Sequence, residues 1–244
     1  MKLTEAHPNN PYFSFKGKVT SHPYAKLVKK AYDKALKCET KLPEKFIHLE
    51  GMSGKQYRYF VNNLVENIDD ARYLEIGSWK GSTACSAVYG NKVNALCIDD
   101  WSGFGGPKQE FCNNIQECIS DDVQVILDEN RYEDVDFTQV GKFNIYFYDG
   151  CHKEESQCNA IKVVQTALDD EYILIVDDWN NPDPRNGTNK AIKELELNVL
   201  YSIEIRTTGD DSYPAEPDQS HPSSPLHLQN SNWHNGYFIA VCRK

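Results

Sequence analysis

The 244-residue chain contains no C-x-x-C pair, no G-x-G-x-x-G, no G-K-[ST], no internal repeat and no low-complexity tract. Without paired cysteines and zinc-finger histidine spacing, a structural zinc module is excluded. Without the glycine fingerprint or the P-loop lysine, the two commonest phosphate-cradling signatures are missing. Without repeats, solenoids and propellers drop out. Basic residues are also short: Lys and Arg number 26 against 36 Asp and Glu, a formal net charge of -10. That balance argues against a nucleic-acid partner, which needs a basic footprint. No apolar run approaches the roughly 18 residues of a membrane span. The opening stretch MKLTEAHPNNPYFSF lacks the apolar core of a secretory signal, so the expected location is cytoplasmic.

What is present is ordinary for a globular protein, at 40% apolar and 25% charged residues. Cys85, Cys97 and Cys242 lie within apolar runs, where a free thiol acts as a small hydrophobe. The eight cysteines are therefore read as free thiols in a reducing compartment.

Residues 1–20 read as an irregular arm. Helical spacing follows over His22–Cys38 and again over Ser53–Asn67. From residue 71 the period changes. Short apolar runs at 72–76, 94–98, 123–127, 143–148 and 172–176 alternate with helical stretches at 80–90, 108–120, 132–138 and 152–169. Continuous apolar strands separated by helices specify a parallel sheet covered on both faces. A helix at 187–196 precedes two further strands, 199–207 and 236–244, which are expected to run antiparallel. The Pro- and Ser-rich stretch 209–234 between them is too long for a connector and is expected to be a functional loop, a lid or a disordered segment. The expected fold is α/β, a Rossmann-like doubly wound seven-stranded sheet, mostly parallel, with an antiparallel last strand. Residues 1–68 would form an N-terminal arm and helical extension, and residues 69–244 the ligand-binding domain.

Ligands of open α/β sheets bind beyond the carboxyl ends of the strands. There the chain places Gly77-Ser-Trp-Lys-Gly81, Asp99-Asp100-Trp101, Asp128-Glu129-Asn130, Asp149-Gly150-Cys151-His152 and Asp177-Asp178-Trp179. The two glycines permit either a tight turn or the close approach of backbone to a ligand. Asp99 is placed to accept hydrogen bonds from ribose hydroxyls or to cap a turn. Asp149, Asp177 and Asp178 would converge from neighbouring loops as three oxygens suited to a hard cation such as Mg²⁺. His152 has the proton affinity of a base working near neutral pH, or is a polar residue at a helix start. Trp79, Trp101 and Trp179 read either as walls of an adenine or substrate pocket or, more often for such positions, as partly buried packing residues. Arg185, in an expected substrate-side loop, is either a partner for an anionic acceptor or a solvated cation.

The runs E-I-G-S-W-K-G-S-T, I-D-D-W, F-Y-D-G-C-H and I-V-D-D-W resemble class I S-adenosylmethionine-dependent methyltransferases over about residues 55–195. The pattern is most similar to the macrocin O-methyltransferase-like and metal-dependent O-methyltransferase branch. The resemblance implies that Glu75, Gly77, Ser78, Gly81, Ser82 and Thr83 hold the methionine part of the cofactor. It implies that Asp99 binds ribose and that one of Asp128, Glu129 and Asn130, with Asn130 favoured, contacts adenine. Asp149, Asp177 and Asp178 match the metal ligands. His152 stands where the catechol enzyme carries a lysine base, and an aspartate is the other candidate for that proton. The implied activity is O-methylation of a small-molecule sugar or catechol-like diol, with no nucleic-acid or membrane partner. The N-terminal helices are candidates for packing between subunits of a homo-oligomer. A nicotinamide-dependent oxidoreductase and a cofactor-binding module without turnover are the rival expectations.

Overall fold

A computed structural model of the protein describes residues 1–212 and 232–244. Most of the expected 209–234 loop lies outside the described residues. The strands are β1 (Tyr12–Gly17), β2 (Ala71–Ile76), β3 (Val93–Ile98), β4 (Val123–Asp128), β5 (Phe143–Tyr148), β6 (Leu168–Val176), β7 (Asn198–Arg206) and β8 (Tyr237–Arg243). The α-helices are α1 (Pro23–Leu36), α2 (Glu44–Ile47), α3 (Lys55–Glu66), α4 (Ser82–Val88), α5 (Lys108–Cys118), α6 (Glu154–Val163) and α7 (Pro182–Glu194).

All eight strands form one sheet in the order β1-β7-β8-β6-β5-β2-β3-β4. The five strands from β6 to β4 are parallel, and β8 runs antiparallel to both of its neighbours. Alternate residues of each strand feed two cores. Tyr73, Cys97, Ile145, Phe147, Ile175 and Ile239 face α1, α3 and α4. Leu74, Leu96, Tyr146, Leu174 and Ala240 face α6 and α7. Burial on both faces explains why the central strands read as unbroken apolar runs.

Three local expectations change. The N-terminal arm contains a strand, so the sheet has eight strands rather than seven. The alternation Tyr12-Phe13-Ser14-Phe15 lets β1 pair antiparallel with the free edge of β7, while Phe13 packs edge-on against Tyr32. The stretch 132–138 contributes only a single 3-10 turn, Tyr132–Asp134. Three acids among four residues favour turn conformations there, and Tyr132 and Phe137 anchor the segment instead. Finally, α7 begins at Pro182, because Asn181 caps it by accepting from the Asp183 N–H and proline suits the first turn. The expected substrate-side loop is thus mostly helix.

Candidate active site at the carboxyl edge

Backbone pairing continues one residue beyond four parallel strands. The N–H of Asp177 donates to Tyr148 O, that of Asp149 to Ile76 O, that of Gly77 to Ile98 O, and that of Asp99 to Asp128 O. Asp177, Asp149, Gly77 and Asp99 therefore stand side by side in one row across the edge, at the strand spacing of about 4.8 Å. The sequence puts an acid or a glycine after each strand, and the ladder brings those residues to one level.

Gly77 is required at its place in the row. Its φ is +90°, and a Cβ there would lie 2.0 Å from the Asp149 carbonyl oxygen. Gly81 has φ +82° and is closely faced by Phe111. Between the glycines the chain folds back so that Trp79 N–H donates to Asp99 Oδ2 at 2.8 Å, and Trp101 N–H donates to Asp99 Oδ1 at 2.7 Å. Asp99 thus fixes the glycine turn with one oxygen of its carboxylate and its own loop with the other. Each oxygen keeps a further lone pair for a ligand hydroxyl.

Glu75, Ser78, Ser82 and Thr83 are buried around the same turn. Glu75 accepts from Tyr73 Oη and, at 3.0 Å, from Thr83 Oγ1. Burial pushes its carboxyl up to about 7 against those hydrogen bonds. Thr83 therefore anchors Glu75, and the buried Ser78 hydroxyl lies beside the same carboxyl. Ser82 Oγ lies 3.1 Å from Ser53 Oγ, in the segment before α3. Asn130 is exposed and donates to Asp128 Oδ1 at 2.7 Å, next to the backbone that pairs with Asp99.

Beside the turn, Asp149, His152 and Asp178 each bring one possible ligand atom to within 4.8 Å of the others. His152 Nε2 stands 2.9 Å from Asp178 Oδ2. Asp178 adopts a left-handed φ of 55° and takes a second hydrogen bond, at 2.6 Å, from Asn235 Nδ2. Asp177 is not part of this group. It is buried, and its Oδ1 accepts the Asp178 N–H at 2.7 Å.

The charges follow from this geometry. Burial and the Asp178 charge push Asp149 up to about 8. Burial opposes a charge on His152, but the hydrogen bond and charge of Asp178 outweigh it and raise the imidazole to about 9. Burial would raise Asp178, yet its bond and attraction to His152 hold it below the usual carboxylate range. Asp177 is driven well up by burial and by the neighbouring Asp149 and Asp178. Two carboxyls are thus pushed upward in a small space, an arrangement that a divalent cation would relieve.

The tryptophans after the strands pack as expected. Trp101 and Trp179 are buried, and Trp101 Nε1 donates to Trp79 O at 2.8 Å. Arg185 serves the fold, donating to the carbonyls of Trp179 and Asn180 and pairing with Asp211. All eight cysteines are free thiols.

Four polar residues in this region escape sequence reasoning. Asn235 reaches Asp178, with the buried His234 beside it at 3.2 Å, because β8 lies beside β6, which the antiparallel pairing foretells only in outline. Arg58 is fully buried although K-Q-Y-R-Y-F reads as an ordinary amphipathic helix start, and Tyr57 beside it stacks on Tyr237 at 4.1 Å.

Residues 74–179 match a protein family described as a methyltransferase domain. No curated protein matches the chain in sequence. Solved structures share its fold. An O-methyltransferase from Bacillus cereus, in complex with S-adenosylhomocysteine, is 12% identical with a TM-score of 0.50, over 89% of this chain and 91% of that one. The O-methyltransferase TomG from Streptomyces achromogenes, solved with S-adenosylmethionine, is 14% identical with a TM-score of 0.50, over 89% and 90% of the two chains. The cofactor-bound Rv0187 from MTB is 18% identical with a TM-score of 0.50, over 91% of each.

Proposed function

For this chain, whose residues 74–179 match a methyltransferase domain, we propose methyl transfer from S-adenosylmethionine, in the manner of the class I enzymes, to an oxygen of a small hydroxylated acceptor, a sugar or catechol-like diol. The observation that carries the proposal is the contact of Gly77 with the Asp149 carbonyl, which sets the cofactor turn directly against the Asp149, His152 and Asp178 group. Donor and acceptor sites built on adjacent strand ends can bring a sulfonium carbon and an acceptor oxygen into line, which is where most of such a barrier is saved.

In this reading Asp99 binds the ribose hydroxyls, while Glu75, Gly77, Ser78, Gly81, Ser82 and Thr83 shape the recess for the methionine part. Asn130 is placed near the adenine. The donor set beside them fits a divalent cation. Asp149 and Asp178 would hold Mg²⁺ or a similar ion, with Asp177 behind them fixing the Asp178 backbone. Bound there, the ion would lower the pKa of an acceptor hydroxyl and would take up the Asp178 charge that keeps His152 protonated. His152, 40% exposed in its side chain, is then the group placed to receive the acceptor proton. Asp149 is the second group at hand for that proton.

The proposal ranks above a nicotinamide-dependent oxidoreductase because the 74–179 match is to methyltransferases. It is tested by incubating the protein with S-adenosylmethionine and a panel of vicinal diols, with Mg²⁺ or with chelator, and reading S-adenosylhomocysteine release. Turnover with at least one diol, reduced tenfold or more by chelation, is the expected result. Cofactor binding without turnover on any acceptor would favour a binding module.

A further inference from the structure

Arg58 projects from the first turn of α3 into the interior and is 0% exposed. Its Nε donates to Ser53 Oγ at 2.9 Å. Its Nη1 donates to the carbonyls of Phe46, Ile47 and Leu49, and its Nη2 has one acceptor, Gly51 O at 3.2 Å. Every one of these partners is neutral, and among the described residues no carboxylate pairs with it. A guanidinium carries five N–H donors and a permanent charge, and burying that charge without a counter-ion is costly. Glu50 and Glu66, the acids nearest in sequence, are engaged elsewhere, Glu50 pairing with Lys80 of the glycine turn at 2.5 Å and Glu66 with Lys34 and Lys41.

The location of this uncompensated cation is specific. Ser53 Oγ, which takes the Arg58 Nε–H, lies 3.1 Å from Ser82 Oγ, directly after Gly81. A Cβ on Gly51 would come within 2.0 Å of Ser82 Oγ and 3.2 Å of Arg58 Nη2. The segment before α3, Ser82 and the guanidinium are therefore in mutual contact, and the two serine hydroxyls bond to each other. Two hydroxyls and a positive charge without a counter-ion at one buried point suit a carboxylate, whose oxygens would accept from both hydroxyls in place of the bond between them while the cation offsets its charge.

We propose that Arg58 is the buried cation against which the carboxylate of the cofactor's methionine part is held, with Ser53 and Ser82 donating to its oxygens. This rests on the methyltransferase reading and adds a residue to it that lies outside the 74–179 match. Arg58 acts by charge and by positioning the 46–53 segment.

The test compares two ligands by calorimetry on the intact protein. S-adenosylhomocysteine carries the amino-acid carboxylate, and methylthioadenosine has the same nucleoside and sulfur without it. Arg58→Gln is expected to weaken S-adenosylhomocysteine tenfold or more and to leave methylthioadenosine within threefold of wild type, with Arg58→Lys recovering part of the loss. Equal losses for both ligands, or no loss for either, would overturn the assignment in favour of a purely structural arginine. Should Arg58→Gln fail to fold, wild-type protein labelled at arginine decides the matter. The buried Arg58 Nε–H resonance is expected to move with S-adenosylhomocysteine and not with methylthioadenosine, and identical responses would overturn the proposal. Wild type that binds neither nucleoside overturns the cofactor reading itself, an outcome separate from every variant result.

Discussion

His152 Nε2 and Asp178 Oδ2 stand 2.9 Å apart across the ends of two adjacent strands, one partner largely buried and the other reaching solvent. Asp149 and Asp177 sit beside this pair, and burial first, then the neighbouring carboxylate charges, pushes both upward.

The sign of the resulting pH dependence is fixed. His152 is raised to about 9 from an ordinary 6.5, so the stability it contributes is present below 6.5 and is lost as pH rises through 9. Asp149 is raised to about 8 from 3.8, so the folded state holds a proton that the unfolded state has released, and that contribution too is lost as pH rises towards 8. Both trends point the same way. The metal-free protein should melt at a falling temperature between pH 6 and 9, and the stabilisation conferred by Mg²⁺ should grow over the same range. A melting temperature that rises with pH in chelator would contradict the described pairing.

Replacing Asp99 with alanine removes the acceptor for both Trp79 N–H and Trp101 N–H, together with the proposed ribose contact. Binding of S-adenosylhomocysteine should weaken tenfold or more, or ~1.4 kcal/mol. An unchanged dissociation constant would remove Asp99 from the cofactor site.

Gly77 and Gly141 form a matched pair, each with φ +90°, one against the Asp149 carbonyl and the other facing open space. Gly141→Ala should cost only the left-handed backbone penalty, about 1–2 kcal/mol. Gly77→Ala carries the same penalty plus a backbone overlap and should destabilise more, with loss of cofactor binding. Equal shifts in denaturant midpoint would show that the approach of the two strand ends is looser than described.

The acids separate by cation affinity. Asp149→Asn and Asp178→Asn should each weaken Mg²⁺ or Mn²⁺ binding by tenfold or more, measured calorimetrically without cofactor. Asp177→Asn should stay within threefold of wild type, because Asp177 lies outside the group of converging ligand atoms and bonds to its neighbour's backbone. A large loss in Asp177→Asn would place its carboxylate on the ion.

Much of this edge can be read from sequence because a parallel sheet converts linear order into spatial order. Once the five strands are recognised, Gly77, Asp99, Asp149 and Asp177 must fall in one row. What the linear order does not carry is side-chain direction. Asp177 and Asp178 are adjacent letters, yet one accepts its neighbour's N–H within the interior while the other turns to His152 through a left-handed backbone. Strand β1 is hidden for another reason. Its six residues end in Lys16-Gly17 within a polar arm, and only the unpaired edge of β7 makes them a strand. Arg58 is hidden because amphipathic periodicity assigns a face and not a partner. An arginine on the buried face becomes legible only when the carbonyls of the 46–51 segment are seen to converge on it.

Strand β1 also has a consequence for how the molecule is handled. Residues 12–17 cover the edge of β7 from Tyr201 to Arg206. A version of the protein trimmed of these residues would keep every group of the carboxyl edge and would present β7 as a bare ladder to the next molecule. Such material should form sheet-to-sheet oligomers, and a poorly soluble truncation would then report the loss of a border strand and not a failure of the parallel core to fold.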